Sequence, residues 1–253
     1  MPEDAHFTED GFLGGRLRIV QPRDGYRAAT DPVLLAAAVP AVAGQSVLEL
    51  GCGTGVAALC LGARVPGLSL CGVERDPASA GLARRNAVLN AIEVRVIEAD
   101  LAVLPPDIRA LTFDHVIANP PYFIAGCGTD AVNAARAAAL REETPLAVWI
   151  DVALRRLAPG GWLTMIQRAE RLPEILTCLS GRAGSLAILP IASRSGRPAA
   201  RIVLRARKAD RGPARLLAPF ILHEGSMHLA GGDNFTPDAR AILRDGASLA
   251  QVF

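Results

Sequence analysis

From Gln45 onward the chain alternates short runs of leucine and β-branched residues with longer stretches of helical periodicity. Ser46–Leu50 predicts a strand, and Val56–Arg64 predicts a helix after a glycine-rich turn. Leu68–Glu74 is a second strand, and Pro77–Asn90 a helix with proline in its first turn, where its missing N–H costs nothing. Val94–Ile97 and Phe113–Ala118 read as third and fourth strands. Leu146–Leu157 reads as a helix ended by Pro159-Gly160-Gly161, with Trp162–Ile166 as a fifth strand. Strands alternating with helices at this spacing predict a parallel sheet covered on both faces. Right-handed crossovers then place the ligand crevice at the carboxyl ends of the strands.

The last third changes character. Leu186–Ile191 and Arg201–Arg207 are strand-like runs joined by the polar segment 192–200, which is too short for a crossover helix. They should therefore pair antiparallel. The expected fold class is α/β: a mostly parallel, seven-stranded, Rossmann-like sheet with a C-terminal antiparallel hairpin and helices on both faces. Residues 1–30, including Phe12–Val20, are expected to form a small hairpin extension over the cofactor edge, and residues 31–253 a single domain.

Composition narrows the class. With 253 residues, 51% of them apolar, the chain can bury one ordinary core. No apolar run approaches the roughly 20 residues that span a bilayer; the longest, Val33–Ala43, is interrupted by Pro40. The acidic N-terminus (Glu3, Asp4, Glu9, Asp10) has the wrong charge for a secretory signal. A cytoplasmic protein without membrane contact is expected. Cys52, Cys60, Cys71, Cys127 and Cys178 show no C-x-x-C spacing and predict reduced thiols without a metal site. His223 and His228 are expected to be local structural or substrate-side residues rather than metal ligands. The net charge of +2 conceals an asymmetry: 12 basic against 17 acidic residues through position 150, then 15 against 8. Every basic residue but Lys208 is arginine, whose planar fork grips phosphate at two points.

The segment Glu49-Leu50-Gly51-Cys52-Gly53-Thr54-Gly55 runs from a strand into glycines and then a helix. Glycine belongs where the backbone turns tightly and approaches a ligand. In the dinucleotide fingerprint G-x-G-x-x-G a pyrophosphate lies on the helix N-terminus. Here the third glycine, Gly55, comes one residue early and Glu49 precedes the first. A carboxylate there repels pyrophosphate and suits an ammonium group. The expected cofactor is cationic and bears an amino acid, as S-adenosyl-L-methionine does. Glu74 ends the second strand, where an acid accepts ribose hydroxyls, with Arg75 beside it. Asp100 closes the third strand within reach of an adenine amino group, with Leu101 adjacent. A competing structural reading has both acids capping the helices that follow.

The fourth strand ends in Asn119-Pro120-Pro121-Tyr122-Phe123. An amino group conjugated to an aromatic ring or a carbonyl is a poor nucleophile because its lone pair is delocalised. Accepting its N–H groups on the Asn119 side-chain oxygen and the Pro120 carbonyl would aim that lone pair at a sulfonium methyl. The two prolines stiffen the backbone so that both acceptors are placed beforehand. Tyr122 or Phe123 can stack on the planar group.

With the E-L-G-C-G-T-G loop, this N-P-P-Y motif resembles the amino-methyltransferases of class I fold. Three further stretches narrow the likeness: Gln21-Pro22-Arg23-Asp24-Gly25-Tyr26-Arg27, Thr30-Asp31-Pro32-Val33-Leu34-Leu35-Ala36, and Leu222-His223. Together they resemble the bacterial family that methylates the exocyclic amine of adenine in tRNA(Val). The resemblance implies that Thr30 and Asp31 close over the methionine end of the cofactor, that Asn119 also touches it, and that residues 119–122 hold the adenine. RNA, with tRNA foremost, is the expected partner; Arg194, Arg197 and Arg201 flank the hairpin turn as phosphate contacts, backed by the cluster Arg205, Arg207, Lys208, Arg211 and Arg215. No metal is implied, and monomer and homodimer both stay open. Two features depart from the family pattern: glutamate rather than aspartate at position 49, and arginine rather than lysine in the tail. Rival readings are glutamine methylation of a translation release factor, DNA adenine methylation, and a cofactor- or RNA-binding protein without catalysis.

Overall fold

Leu48 and Leu50 alternate with Val47 along strand β3 (Ser46–Leu50), so this one strand feeds two apolar cores, one on each face. Parallel neighbours flank it: β4 (Ser69–Glu74) on one side and β6 (Phe113–Ala118) on the other. The computed structural model of the protein describes residues 6–24, 27–124, 141–142, 144–225, 234–249 and 251–253.

Beyond β4 lies the edge strand β5 (Val94–Glu98). Beyond β6 come β9 (Leu157–Arg168, parallel to β6), β11 (Ala199–Lys208) and β10 (Ala183–Ala192). The short strands β12 (Arg215–Leu216) and β13 (Phe220–Ile221) both pair with β10. The sheet therefore has nine strands rather than the seven expected, in the order β12-β10-β11-β9-β6-β3-β4-β5 with β13 off that path. Two-residue strands carry no readable periodicity, which is why the pattern missed them. Only β11 runs against the others.

Helices α1 (Thr30–Ala38), α2 (Val56–Arg64) and α7 (Pro237–Asp245) contribute Leu34, Leu59 and Ile242 to one core. On the opposite face α4 (Pro106–Ala110), α5 (Leu146–Arg156) and α6 (Leu172–Leu179) contribute Ile108, Ile150 and Ile175. The Pro159-Gly160-Gly161 segment does not separate α5 from its strand by a loop. It forms a bulge inside β9, between the pairs Phe113↔Leu157 and His115↔Trp162, with Gly160 at φ +74°.

At the N-terminus β1 (Phe7–Phe12) and β2 (Leu17–Pro22) form an antiparallel hairpin. It is held by α3 (Pro77–Leu89), whose Asp76 cap accepts from the Ser79 N–H. Fully buried Asn86 bonds both backbone groups of Val20 and donates as well to the carbonyl of Thr54, in the glycine loop. Asn90, one turn on, does the same for both backbone groups of Arg18. Two asparagine amides thus satisfy the edge of β2 in place of a further strand. The remaining pair, β7 (Phe123–Ile124) and β8 (Arg141–Glu142), is parallel and separate from the main sheet.

Candidate active site

The chain steps outward from β3 to β4 and β5, then returns to place β6 on the other side of β3. Such a reversal opens a crevice at the carboxyl ends of the strands. Leu50 and Ala118 are register partners at the ends of β3 and β6, so Gly51 and Asn119 leave adjacent strands side by side. Both line a cavity of about 700 Å³, which also receives Gly53, Glu74, Asp100 and Tyr122. Gly51 has φ +61°, and a β-carbon there would lie 2.4 Å from the outer ring of Trp149. Gly53 has φ +53°, and its absent β-carbon would meet nothing within 4 Å. Glycine at 51 thus lets the loop pack against Trp149, and glycine at 53 leaves open the space that a side chain there would enter. Gly55 plays a different part: at φ +84° it caps α2, a β-carbon there would lie 3.4 Å from Ala83, and it is away from the cavity lining.

Five carboxylates line the cavity (Asp24, Asp31, Glu74, Asp76 and Asp100) against two guanidiniums, Arg27 and Arg75. The field inside therefore favours a cationic guest and disfavours a pyrophosphate. Glu74 accepts the Gly53 N–H at 2.8 Å on one oxygen and the Asp76 N–H at 2.9 Å on the other. Each oxygen keeps a further lone pair for hydroxyl donors. Asp100 caps the one-turn helix at 101–103 through the Ala102 N–H, 2.8 Å, while still lining the cavity beside Leu101. Capping and lining are both served by the same side chain.

Glu49 departs from the sequence reading. It is buried, absent from the cavity lining, and accepts the Ala58 N–H at 2.9 Å, satisfying the first turn of α2. Burial pushes its carboxyl up to about 8, opposed by that N–H and reinforced by the Glu74 charge. Its carboxylate is therefore turned toward α2 rather than toward the cavity in which an ammonium would lie.

In the turn after β6, Asn119, Pro120, Pro121 and Tyr122 all line the cavity. The Tyr122 hydroxyl donates to Asp31 at 2.5 Å. The second oxygen of Asp31 pairs with Arg201, which also reaches the Thr30 hydroxyl at 3.4 Å. Arg201 is thus committed to the N-terminus of α1 and is not an open phosphate contact. Gln167, fully buried at the end of β9, directs its amide at the carbonyls of Pro120 and Pro121 at 3.4 and 3.5 Å. The side chain of Phe123, with Tyr26, Cys127 and His228, lies outside the described residues.

Antiparallel pairing of β11 with β9 puts the β10–β11 turn at the cavity end of the sheet. Arg197 is exposed there, while Arg194 donates to the carbonyls of Glu224 and Gly225. The same pairing carries Arg205 and Arg207 to the opposite end, opposite Thr164 and Trp162. Arg205 is buried between the rings of Trp162 and Phe253, at 5.3 and 4.5 Å. Arg207 donates to Gly160, and Lys208 to Leu157. That cluster therefore does not face the cavity, because a hairpin spreads its sequence neighbours over the full height of the sheet. The sequence assigned no role to Arg27, which it offered only as part of a family-like stretch, nor to Trp149, Gln167 and Asn86. Asn86 carried a signal: an asparagine inside a helix, with a second one turn later, marks side chains with backbone to satisfy. His223 stacks on Phe235 at 4.9 Å.

Among the described residues no helix is long and apolar enough to cross a membrane, and no group of His, Cys, Asp and Glu is arranged to hold a metal. Cys52, Cys60, Cys71 and Cys178 are free thiols.

Residues 28–183 match the family described as methyltransferase small domain. A protein of Porphyromonas gingivalis named tRNA1(Val) (adenine(37)-N6)-methyltransferase is 34% identical over 179 residues, covering 66% of this chain and 68% of its own. One of the same name from Aeromonas hydrophila is 31% identical, covering 77% and 82%. Among solved structures, a predicted O-methyltransferase from Agrobacterium tumefaciens superposes with a TM-score of 0.68 at 29% identity, covering 86% of this chain and 97% of that one. The 16S rRNA N2 G1207 methyltransferase of Thermus thermophilus has a TM-score of 0.55 at 22% identity, over 80% and 50%, a likeness of fold.

Proposed function

The chain belongs to the methyltransferase small-domain family, and from that premise we propose that it transfers a methyl group from S-adenosylmethionine to N6 of adenine in a tRNA. The relatives named for adenine-37 of tRNA1(Val) support that substrate. The observation that carries the chemistry is the shared cavity: the glycine loop and the N-P-P-Y turn leave neighbouring strands and line one space.

The residues fit the cofactor. Gly51 lets the loop lie against Trp149, Gly53 leaves open space in the cavity, Glu74 offers lone pairs to ribose hydroxyls, and Asp100 lines the cavity as an acceptor for an adenine amino group. The lining carboxylates other than Asp31, which Arg201 neutralises, suit the positive charge. When bound, this group supplies an electrophilic methyl on a sulfonium. The chain's own task is to make a delocalised nitrogen attack. The Asn119 side-chain oxygen and the Pro120 carbonyl accept the two N–H groups and turn the nitrogen lone pair into the cavity. The two prolines stiffen the backbone that carries these acceptors, which reduces the reorganisation required at the barrier. Tyr122 offers a flat ring to the base, which would have to leave its stack to enter. No strong base is needed, because the proton is lost to water.

The acidic interior repels the phosphate backbone, so only the base should enter while the backbone rests outside. Arg197, exposed on the β10–β11 turn at the cavity end, is placed to meet it. Incubation with labelled S-adenosylmethionine and, separately, total tRNA, rRNA and protein extract tests the reading. Label should enter tRNA as N6-methyladenine. Label confined to protein would support glutamine methylation instead and sink the RNA assignment.

A further inference from the structure

Three segments distant in sequence meet at Asp31. Its two carboxylate oxygens are divided between them: one accepts the Tyr122 hydroxyl, from the N-P-P-Y turn, and the other pairs with Arg201 of β11. Arg201 also contacts the Thr30 hydroxyl, so it grips the first turn of α1 at two points. Both charged side chains are mostly shielded, with 23% and 17% of their surfaces exposed. Asp31 and Tyr122 line the cavity, and a carboxylate locked in this way has little freedom to follow a ligand. A tyrosine whose ring plane is fixed at both ends, by the stiff prolines at its backbone and by Asp31 at its hydroxyl, loses its rotamer freedom before the base arrives.

We propose that Arg201 is a positioning residue: through Asp31 it holds the Tyr122 ring in the orientation that the flat acceptor stacks on. This inference rests on the methyl-transfer reading above. It replaces the phosphate contact that sequence spacing suggested for Arg201, and the two roles separate experimentally. A residue that orients the stacking ring acts on the reacting complex, so its loss lowers kcat. A residue that holds the RNA backbone acts on encounter, so its loss raises KM and weakens the salt dependence.

The chain contains two tyrosines, so the full-length protein labelled with 3-fluorotyrosine gives two fluorine resonances, and Tyr122→Phe identifies one by its loss. Arg201→Gln and Asp31→Asn should each shift and narrow the Tyr122 resonance as the ring gains motion, with no substrate present. The same Arg201→Gln protein should show kcat on tRNA reduced roughly 10- to 100-fold, the scale on which misplaced reactive groups lose rate. KM for tRNA and Kd for the cofactor should stay within about twofold. Arg201→Lys, which keeps a cation beside Asp31, should restore most of kcat. An unmoved Tyr122 resonance in Arg201→Gln overturns the proposal, as does a raised KM with kcat intact. Because the resonance is read on the free protein, a wild type that methylates another class of acceptor removes the tRNA assignment alone. The positioning role is then judged by kcat on that acceptor.

Discussion

Gly51→Ala probes the glycine loop directly. The backbone there is left-handed, at φ +61°, a conformation that costs an L-residue roughly 1–2 kcal/mol. The new methyl would also lie 2.4 and 2.9 Å from two outer-ring atoms of Trp149. Trp149 cannot swing away freely, since it is buried and its indole N–H donates to the Thr144 carbonyl at 3.2 Å. Overpacking of this kind costs about 1–3 kcal/mol, so a total near 3 kcal/mol is expected. For a domain of this size that lowers Tm by roughly 6–12 °C. Because Trp149 and Gly51 both line the cavity, cofactor affinity should fall with stability. Thermal unfolding with and without S-adenosylmethionine, on Gly51→Ala, Trp149→Phe and the double variant, separates the two parts. The smaller phenylalanine ring removes the clash and should restore the packing share of the loss, while the backbone share persists. A Gly51→Ala protein as stable as wild type would refute the reasoning, and so would strictly additive effects in the double variant.

Asn119→Ala should still bind cofactor while methyl transfer falls about a hundredfold or more, on the scale of losing one preorganised hydrogen-bond partner; single-turnover transfer with labelled cofactor reads it. Glu49, lifted from about 4.5 to about 8 by burial, makes stability depend on pH. Between those values the unfolded chain has released a proton that the folded chain retains, so stability declines as pH rises from about 4.5 to about 8 and levels off above. Glu49→Gln, which keeps an acceptor for the Ala58 N–H, should flatten that decline, and its Tm advantage over wild type should grow from pH 5 to pH 8; parallel profiles would refute the assignment. Arg197→Ala should weaken tRNA binding and reduce the slope of log K against log [salt] by about one unit, without changing cofactor affinity; an unchanged slope measured by filter binding would remove it from the contact surface.

Much of the fold was legible because it is written in local periodicity. The central strands between Ser46 and Ile166 are covered on both faces and read as short apolar runs, while the helices between them bury one face and carry a helical period. The glycine loop and the N-P-P-Y turn were legible for a related reason: left-handed backbone and stiffened carbonyls admit few residue types. The two-residue strands β12 and β13, and the bulge that absorbs Gly160 into β9, left no comparable mark. Their existence depends on which neighbour offers a free edge, and that is a property of the assembled sheet.

Side-chain destination divides in the same way. The sequence alone determined that acids stand at the strand ends, because position follows from counting along a strand. Only the tertiary structure decided which way each acid points. Glu49 turns inward to cap α2, while Glu74 bridges Gly53 and Asp76 at the cavity wall. Arg201 and Arg205 are four residues apart in one basic segment, yet antiparallel pairing sends the first to Asp31 and the second to the far end of the sheet. Charge along a chain records how much is available. Where it acts is set by strand direction and by which partner is close enough to repay the loss of water.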